Sequence, residues 1–138
     1  MFHEETMSLE QSKVAEIKAN RPALKALLTL YHPMYAGHHV HSGDLEDVCN
    51  LSRSTVWRIL HYLWQKEMVE YDPKGKTSLA RLTPTGARYA RYFYEQLGSL
   101  TKYEKWTEDV SQSQQDGVLP SSKMQELKNE LRDYLSFL

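Results

Sequence analysis

The apolar positions of the chain fall into separate helical stripes, joined by short polar or alternating stretches. Val14 and Ile17 mark a short stripe. Ser8, Leu9, Glu10 and Gln11 precede it with the Ser-x-x-Gln form of a capping box, which predicts a helix ending near Asn20. Ala23, Leu24, Leu27, Leu28 and Tyr31 then recur at helical spacing behind Pro22. Proline suits a first helical turn, where its missing N–H would have no partner in any case. Leu45 and Val48 give a third stripe, with Ser42 as the expected cap and Asp44 in the first turn. Val56, Ile59, Leu60 and Leu63 give a fourth at i, i+3, i+4 and i+7, behind Ser52 as N-cap. Asn50 lies between the last two helices and tolerates a left-handed turn better than most side chains.

The period then changes. Residues 69–72 alternate apolar and polar, 73–76 (Pro-Lys-Gly-Lys) read as a turn, and 77–82 alternate again with Ala80 and Leu82 on one face. Two alternating runs across a Gly-containing connection predict a β-hairpin. Thr83 and Pro84 open another helix as cap and first residue. Helical spacing and many aromatics continue to Trp106, although Gly98 weakens the run. Residues 107–120 are polar and read as a linker. Met124, Leu127, Leu131, Tyr134 and Leu138 then step by 3 and 4, as in a two-heptad seam. The expected layout is an N-terminal helical extension (1–20), a core domain (21–83), one long helix (84–106), a linker (107–120) and a C-terminal amphipathic helix (121–138). The fold class is mainly α with a small β-hairpin, α+β.

Composition narrows the class. The chain has 138 residues, 41% hydrophobic and 25% charged, enough for one domain with a core plus extensions. No apolar run is long enough to span a bilayer and no signal-peptide pattern opens the chain, so a cytoplasmic location is expected. The single cysteine, Cys49, excludes an internal disulfide framework and reads as a small core residue. Net charge is −1, but its distribution is uneven. Residues 21–98 hold ten Lys/Arg against seven Asp/Glu, whereas 1–20 hold two against four and 99–138 five against seven. The middle is mildly basic, a modest footprint for an anionic partner.

Two features carry candidate chemistry. His38, His39 and His41 crowd around Val40, but no Cys pair accompanies them, and the alternation fits a short strand; no metal site and no cofactor are expected. The pair of helices around Asn50 has the form of a helix-turn-helix, whose second helix enters the DNA major groove. At ~100° per residue, the side of that helix opposite its apolar stripe carries Ser54, Arg58, His61 and Gln65. Arg53 and Thr55 stand beside the Ser52 cap. These side chains can bond base edges or phosphates. Lys74, Lys76 and Arg81 on the hairpin can reach phosphates or the minor groove, as the wing of a winged helix does. The aromatic-rich helix and the tail seam suggest a dimer interface through Tyr89, Phe93, Leu97, Leu100, Leu127, Leu131 and Tyr134. No phosphate loop, nucleophile elbow, paired-carboxylate site or zinc-protease motif appears, so an enzyme is not expected.

The stretch LEDVCNLSRSTVWRILHYLWQKEMVEYDPKGKTSLARLTPTGARYA resembles the MarR and PadR-like winged helix-turn-helix transcription regulators. The resemblance lies in the apolar-x-x-apolar first helix, Leu51 to Val56, the exit from Leu63 to Val69 into a hairpin, and Leu82 to Gly86 after the wing. It implies a dimer that binds pseudo-palindromic double-stranded DNA and represses transcription. It also implies base reading by Ser52, Arg53, Ser54, Thr55 and Arg58, and wing contacts by Lys74 and Lys76. Asn50 replaces the usual turn glycine. Glu67 stands where glycine often ends the reading helix, which predicts a less sharp exit. Trp57 replaces a small polar residue and shares a flank with Trp64; the pair can pack on a neighbouring element or contact DNA sugars, and Trp57 counts with the expected DNA-binding residues. Two other functions fit the same pattern. One is a DNA-binding adaptor of a plasmid or phage segregation or replication assembly, whose C-terminal tail recruits a protein partner. The other is a winged-helix protein-interaction module without DNA binding.

Overall fold

A computed structural model describes residues 9–72 and 78–138. Seven helices and three short strands form among them: α1 (Gln11–Ala19), α2 (Arg21–Tyr31), β1 (Val40–His41), α3 (Ser42–Cys49), α4 (Arg53–Gln65), β2 (Val69–Tyr71), β3 (Leu79–Leu82), α5 (Pro84–Gln96), α6 (Leu100–Ser113) and α7 (Ser121–Ser136). The fold is mainly helical with one small antiparallel sheet, an α+β arrangement. The sheet order is β1-β3-β2. Val40 faces Ala80 across β1 and β3, and Val69, Glu70 and Tyr71 face Leu82, Arg81 and Ala80 across β2 and β3.

Helix α2 is the centre. Its expected face is buried at Ala23, Leu24, Leu27 and Leu28, but Ala26, Thr29 and Leu30 are buried too, because α2 packs against α1, α3, α4, α5 and β3. A helix enclosed on so many sides needs apolar residues nearly all round. Asn20 caps it, its Oδ1 accepting the Ala23 N–H at 3.2 Å. Two expected caps are displaced. Helix α1 starts at Gln11 with Glu10 at the cap position and no side-chain capping bond from it; Ser8, on which the expected box rests, lies outside the described residues. Helix α3 starts at Ser42, one residue earlier than a Ser42 cap requires, and His41 is the cap, its Nδ1 accepting the Gly43 N–H at 2.9 Å.

The expected single helix over 84–106 is two. Gly98 takes a φ of +69°, and the Ser99 N–H bonds the Tyr94 carbonyl at 2.9 Å, so the chain turns before α6 begins. The expected linker is partly helix, because α6 runs on to Ser113. The turn folds the aromatics inward. Tyr103 stacks on Tyr31 at 4.9 Å, Tyr94 lies 5.1 Å from Tyr103, and Trp106 packs on His32 at 4.5 Å. The Tyr94 hydroxyl donates to the Leu28 carbonyl at 2.7 Å, and the Trp106 N–H to Glu130 at 3.0 Å.

The residues expected at a dimer interface lie mostly within this packing. Tyr89 and Phe93 on α5, and Leu127 and Leu131 on α7, are buried in the core of their own chain. Leu100 and Tyr134 are packed against that core, which leaves Leu97 exposed at 39%. A side chain already covered by its own fold cannot supply apolar surface to a second copy. The tail helix is likewise docked internally: α7 packs on α3, with Lys128 paired to Asp44 at 3.0 Å and Arg132 to Asp47 at 3.1 Å.

Candidate functional site

Helix α4 follows a tight turn from α3. Asn50 takes a left-handed φ of 54° there, as its side chain permits. Ser52 then caps α4: its Oγ accepts the Thr55 N–H at 3.2 Å and donates to Thr55 Oγ1 at 2.8 Å. Val56, Ile59, Leu60 and Leu63 are all buried, so the helix cannot roll without pulling its apolar side into water. The exit is sharp. Glu67 adopts a φ of 61°, and the Met68 N–H closes on the Leu63 carbonyl at 2.9 Å, so a side chain fills the position expected to favour glycine. The next element is equally constrained. Thr83 donates to the Glu67 carbonyl at 2.7 Å, and a Cβ on Gly86 would meet the Met68 carbonyl oxygen at 2.0 Å. Gly86 is therefore what lets α5 start directly behind α4.

The outward side of α4 is divided. Arg53, Ser54, Trp57, Arg58, Trp64 and Gln65 are exposed. Thr55 is half-buried, and its hydroxyl accepts from Arg58 Nη2 at 3.3 Å as well as from Ser52. Ser52, Thr55 and Arg58 thus form one hydrogen-bonded edge, and Thr55 and Arg58 line an open hollow together with Asn20 and Pro22 at the start of α2. Among the described residues neither Arg53 nor Arg58 is paired with a carboxylate.

His61 departs from the expectation. It lies at the centre of the outward arc, yet Trp57 covers its ring at 4.0 Å and Tyr71 meets it edge-on at 5.6 Å. Its Nε2 is enclosed with no hydrogen-bond partner among the described residues, so that nitrogen is turned away from any ligand and the ring backs Trp57.

Arg81 is half-buried on β3 and pairs with Glu70 across the strands at 3.6 Å, so part of its charge is offset. Lys74 and Lys76 lie outside the described residues. At the far end, Lys66 pairs with Glu16 at 3.1 Å and the Tyr62 hydroxyl donates to Glu16 at 2.9 Å, tying α4 to α1. Those two contacts hold the Glu16 carboxyl below its ordinary range, the Lys66 bond most of all. Glu67 and Glu70 are exposed near the same end. The anion-favouring part of α4 is therefore its first turns, where the helix dipole and both arginines act together. That polarity along the helix is absent from the outward arc as read from periodicity, because the acids that create it come from α1, the exit turn and β2.

The histidine cluster divides as well. His41 is spent as a cap, while His38 and His39 are exposed. Among the described residues no group of three His, Cys, Asp or Glu is arranged to hold a metal ion. Cys49 is buried against Thr29, with Oγ1 to Sγ at 3.3 Å, and burial pushes its thiol up to about 11. No helix among the described residues is long and apolar enough to cross a membrane.

The class these observations define is a small α+β protein that presents one cation-bearing helix face beside a three-stranded sheet. The chain belongs to one family with an uncharacterized protein of Archaeoglobus fulgidus, to which it is 32% identical over 69 residues, covering 50% of this chain and 73% of that protein. No family model matches the chain. No solved structure matches it.

Proposed function

We propose that the chain is a winged helix-turn-helix, sequence-specific DNA-binding protein acting as a dimeric transcriptional repressor. In this reading α4 enters the major groove by its first turns, and the connection between β2 and β3, which carries Lys74 and Lys76, meets the backbone or the minor groove. The observation that carries the proposal is the first half of α4. Arg53, Ser54 and Arg58 stand exposed on a helix whose other side is locked into the core. Such a helix offers donors and cations to a duplex without having to reorganise first. The element order from α2 to β3 and the sheet order β1-β3-β2 support the winged arrangement. A second copy would double the modest excess of cations carried by residues 21–98. Leu97 and Phe137, 39% and 88% exposed, are apolar surface left for it.

Selection of bound duplexes from a randomised library at low salt tests the proposal. Recovery of a shared sequence with inverted half-sites is expected. A library that emerges unenriched would reject it. A second reading, a protein-interaction module, draws on the exposure of Trp57 and Trp64. It predicts binding that strengthens or holds as salt rises, whereas phosphate contacts weaken steeply.

A further inference from the structure

Charge and hydrogen bonding leave both tryptophans of α4 unexplained, and Trp57 is the one that stands among its first-turn polar residues. It is 51% exposed, on the same open hollow as Ser52, Arg53 and Ser54. It is also braced: His61 packs on its ring at 4.0 Å, and Tyr71 backs His61. An indole offers one N–H donor and no acceptor; the rest is apolar surface. Apolar surface of this size gains when a partner removes it from water. Arg53 and Arg58, with the N-terminal end of α4, select an anionic partner around it. The partner must therefore be anionic overall and yet present an apolar group where the indole stands.

A DNA duplex meets both demands at one place. In the major groove each base pair offers donors and acceptors, and thymine alone adds an apolar C5-methyl. We propose that Trp57 is a specificity-determining residue that reads thymine by packing its ring on that methyl, while Arg53 and Arg58 hold the flanking phosphates or bases. This inference rests on the DNA-binding reading of α4. It assigns to Trp57 a preference that the polar residues of the helix do not supply.

The test uses the full chain and a duplex recovered from the library selection. Each thymine is replaced in turn by deoxyuridine, which keeps the pairing and removes only the methyl. The wild-type protein is expected to bind about fourfold more weakly at one or two positions per half-site, a change that corresponds to roughly 0.8 kcal/mol for one buried methyl-sized group. Trp57→Ala is expected to bind the parent duplex more weakly and to be indifferent to deoxyuridine at those positions. No loss at any thymine in the wild type would overturn the inference, without recourse to a variant. Equal losses in wild type and Trp57→Ala would also overturn it. So would tighter binding of the separated strands than of the duplex, which would make the indole a stacking platform for unpaired bases. Failure of this inference leaves a recovered duplex in hand; failure of the DNA-binding reading leaves none.

Discussion

Helices α4 and α7 are built on the same kind of apolar seam but use their polar sides differently. On α7, Leu127, Leu131 and Leu135 are buried, and the cations beside them are paired within the chain: Lys128 with Asp44, Arg132 with Asp47, Lys123 with Glu126. On α4, Val56, Ile59, Leu60 and Leu63 are buried in the same way, yet Arg53 and Arg58 meet no carboxylate among the described residues, and two tryptophans stay in water. Periodicity identifies the buried side of a helix. It does not say whether the other side is already occupied by the fold.

That contrast predicts a separation of effects. The largest should come from the buried side of α7. Leu131→Ala is expected to destabilise the protein by about 2–5 kcal/mol, since a fully enclosed leucine leaves a cavity. Urea unfolding measures it, and the folded fraction should keep the wild-type affinity for a selected duplex. A weakened affinity would mean that α7 reaches the ligand and that the two helices are not distinct in role.

The interior beneath α6 also sets a pH response. His32 is buried against Trp106, and its Nδ1 accepts the Met34 N–H at 3.1 Å. Burial pushes it down to about 3 from an ordinary value near 6.5. The unfolded chain takes up a proton below pH 6.5 while the native chain resists until about pH 3. This contribution to stability is therefore complete above pH 6.5 and is lost as pH falls through that window, by up to about 1.4 kcal/mol per unit. His32→Asn, which keeps an acceptor for Met34, should flatten the decline in urea midpoints between pH 6.5 and 4. An unchanged slope would remove His32 as its source.

Effects of intermediate size belong to α4. Arg58→Ala should weaken duplex binding by about 1–3 kcal/mol and relax sequence preference, with stability shifted by less than about 0.5 kcal/mol. Ser52→Ala should cost about 1 kcal/mol of stability by uncapping α4, and it should weaken binding as well, because the same hydroxyl orders Thr55 and, through it, Arg58. The smallest effect is that of the matching arginine on α7. Arg132→Ala removes a partly exposed ion pair worth less than about 1 kcal/mol, and binding titrations should not detect it.

Much of the backbone was legible in the sequence because each element buries one side with a clear period. The stripes of α2, α3, α4 and α7, and the paired strands β2 and β3, follow directly from it. The misses share a cause: they depend on contacts made at a distance. Nothing local marks Tyr89 and Phe93 as core rather than interface; that follows from the packing of α5 on α2, while Trp106 is brought inward by the left-handed turn at Gly98, which folds α6 back towards α2. Nor could the outward arc of α4 reveal that His61 would be roofed by Trp57 and Tyr71. The cap at His41 was hidden because histidine is not among the usual capping residues. Within the candidate site, Ser52, Thr55 and Arg58 were identified as separate residues, but their single hydrogen-bonded edge emerges only once the helix is folded.

The claim on which the functional account turns is that the first turns of α4 neutralise phosphates. Fluorescence anisotropy of a labelled duplex, titrated with wild-type protein and with Arg53→Ala/Arg58→Ala between about 50 and 200 mM salt, tests it most directly. The account predicts that log affinity falls linearly with log salt, at a slope of about −3 or steeper, and that the double variant is weaker with a shallower slope. A wild-type protein that fails to bind at low salt, or whose slope the double variant reproduces, would contradict it.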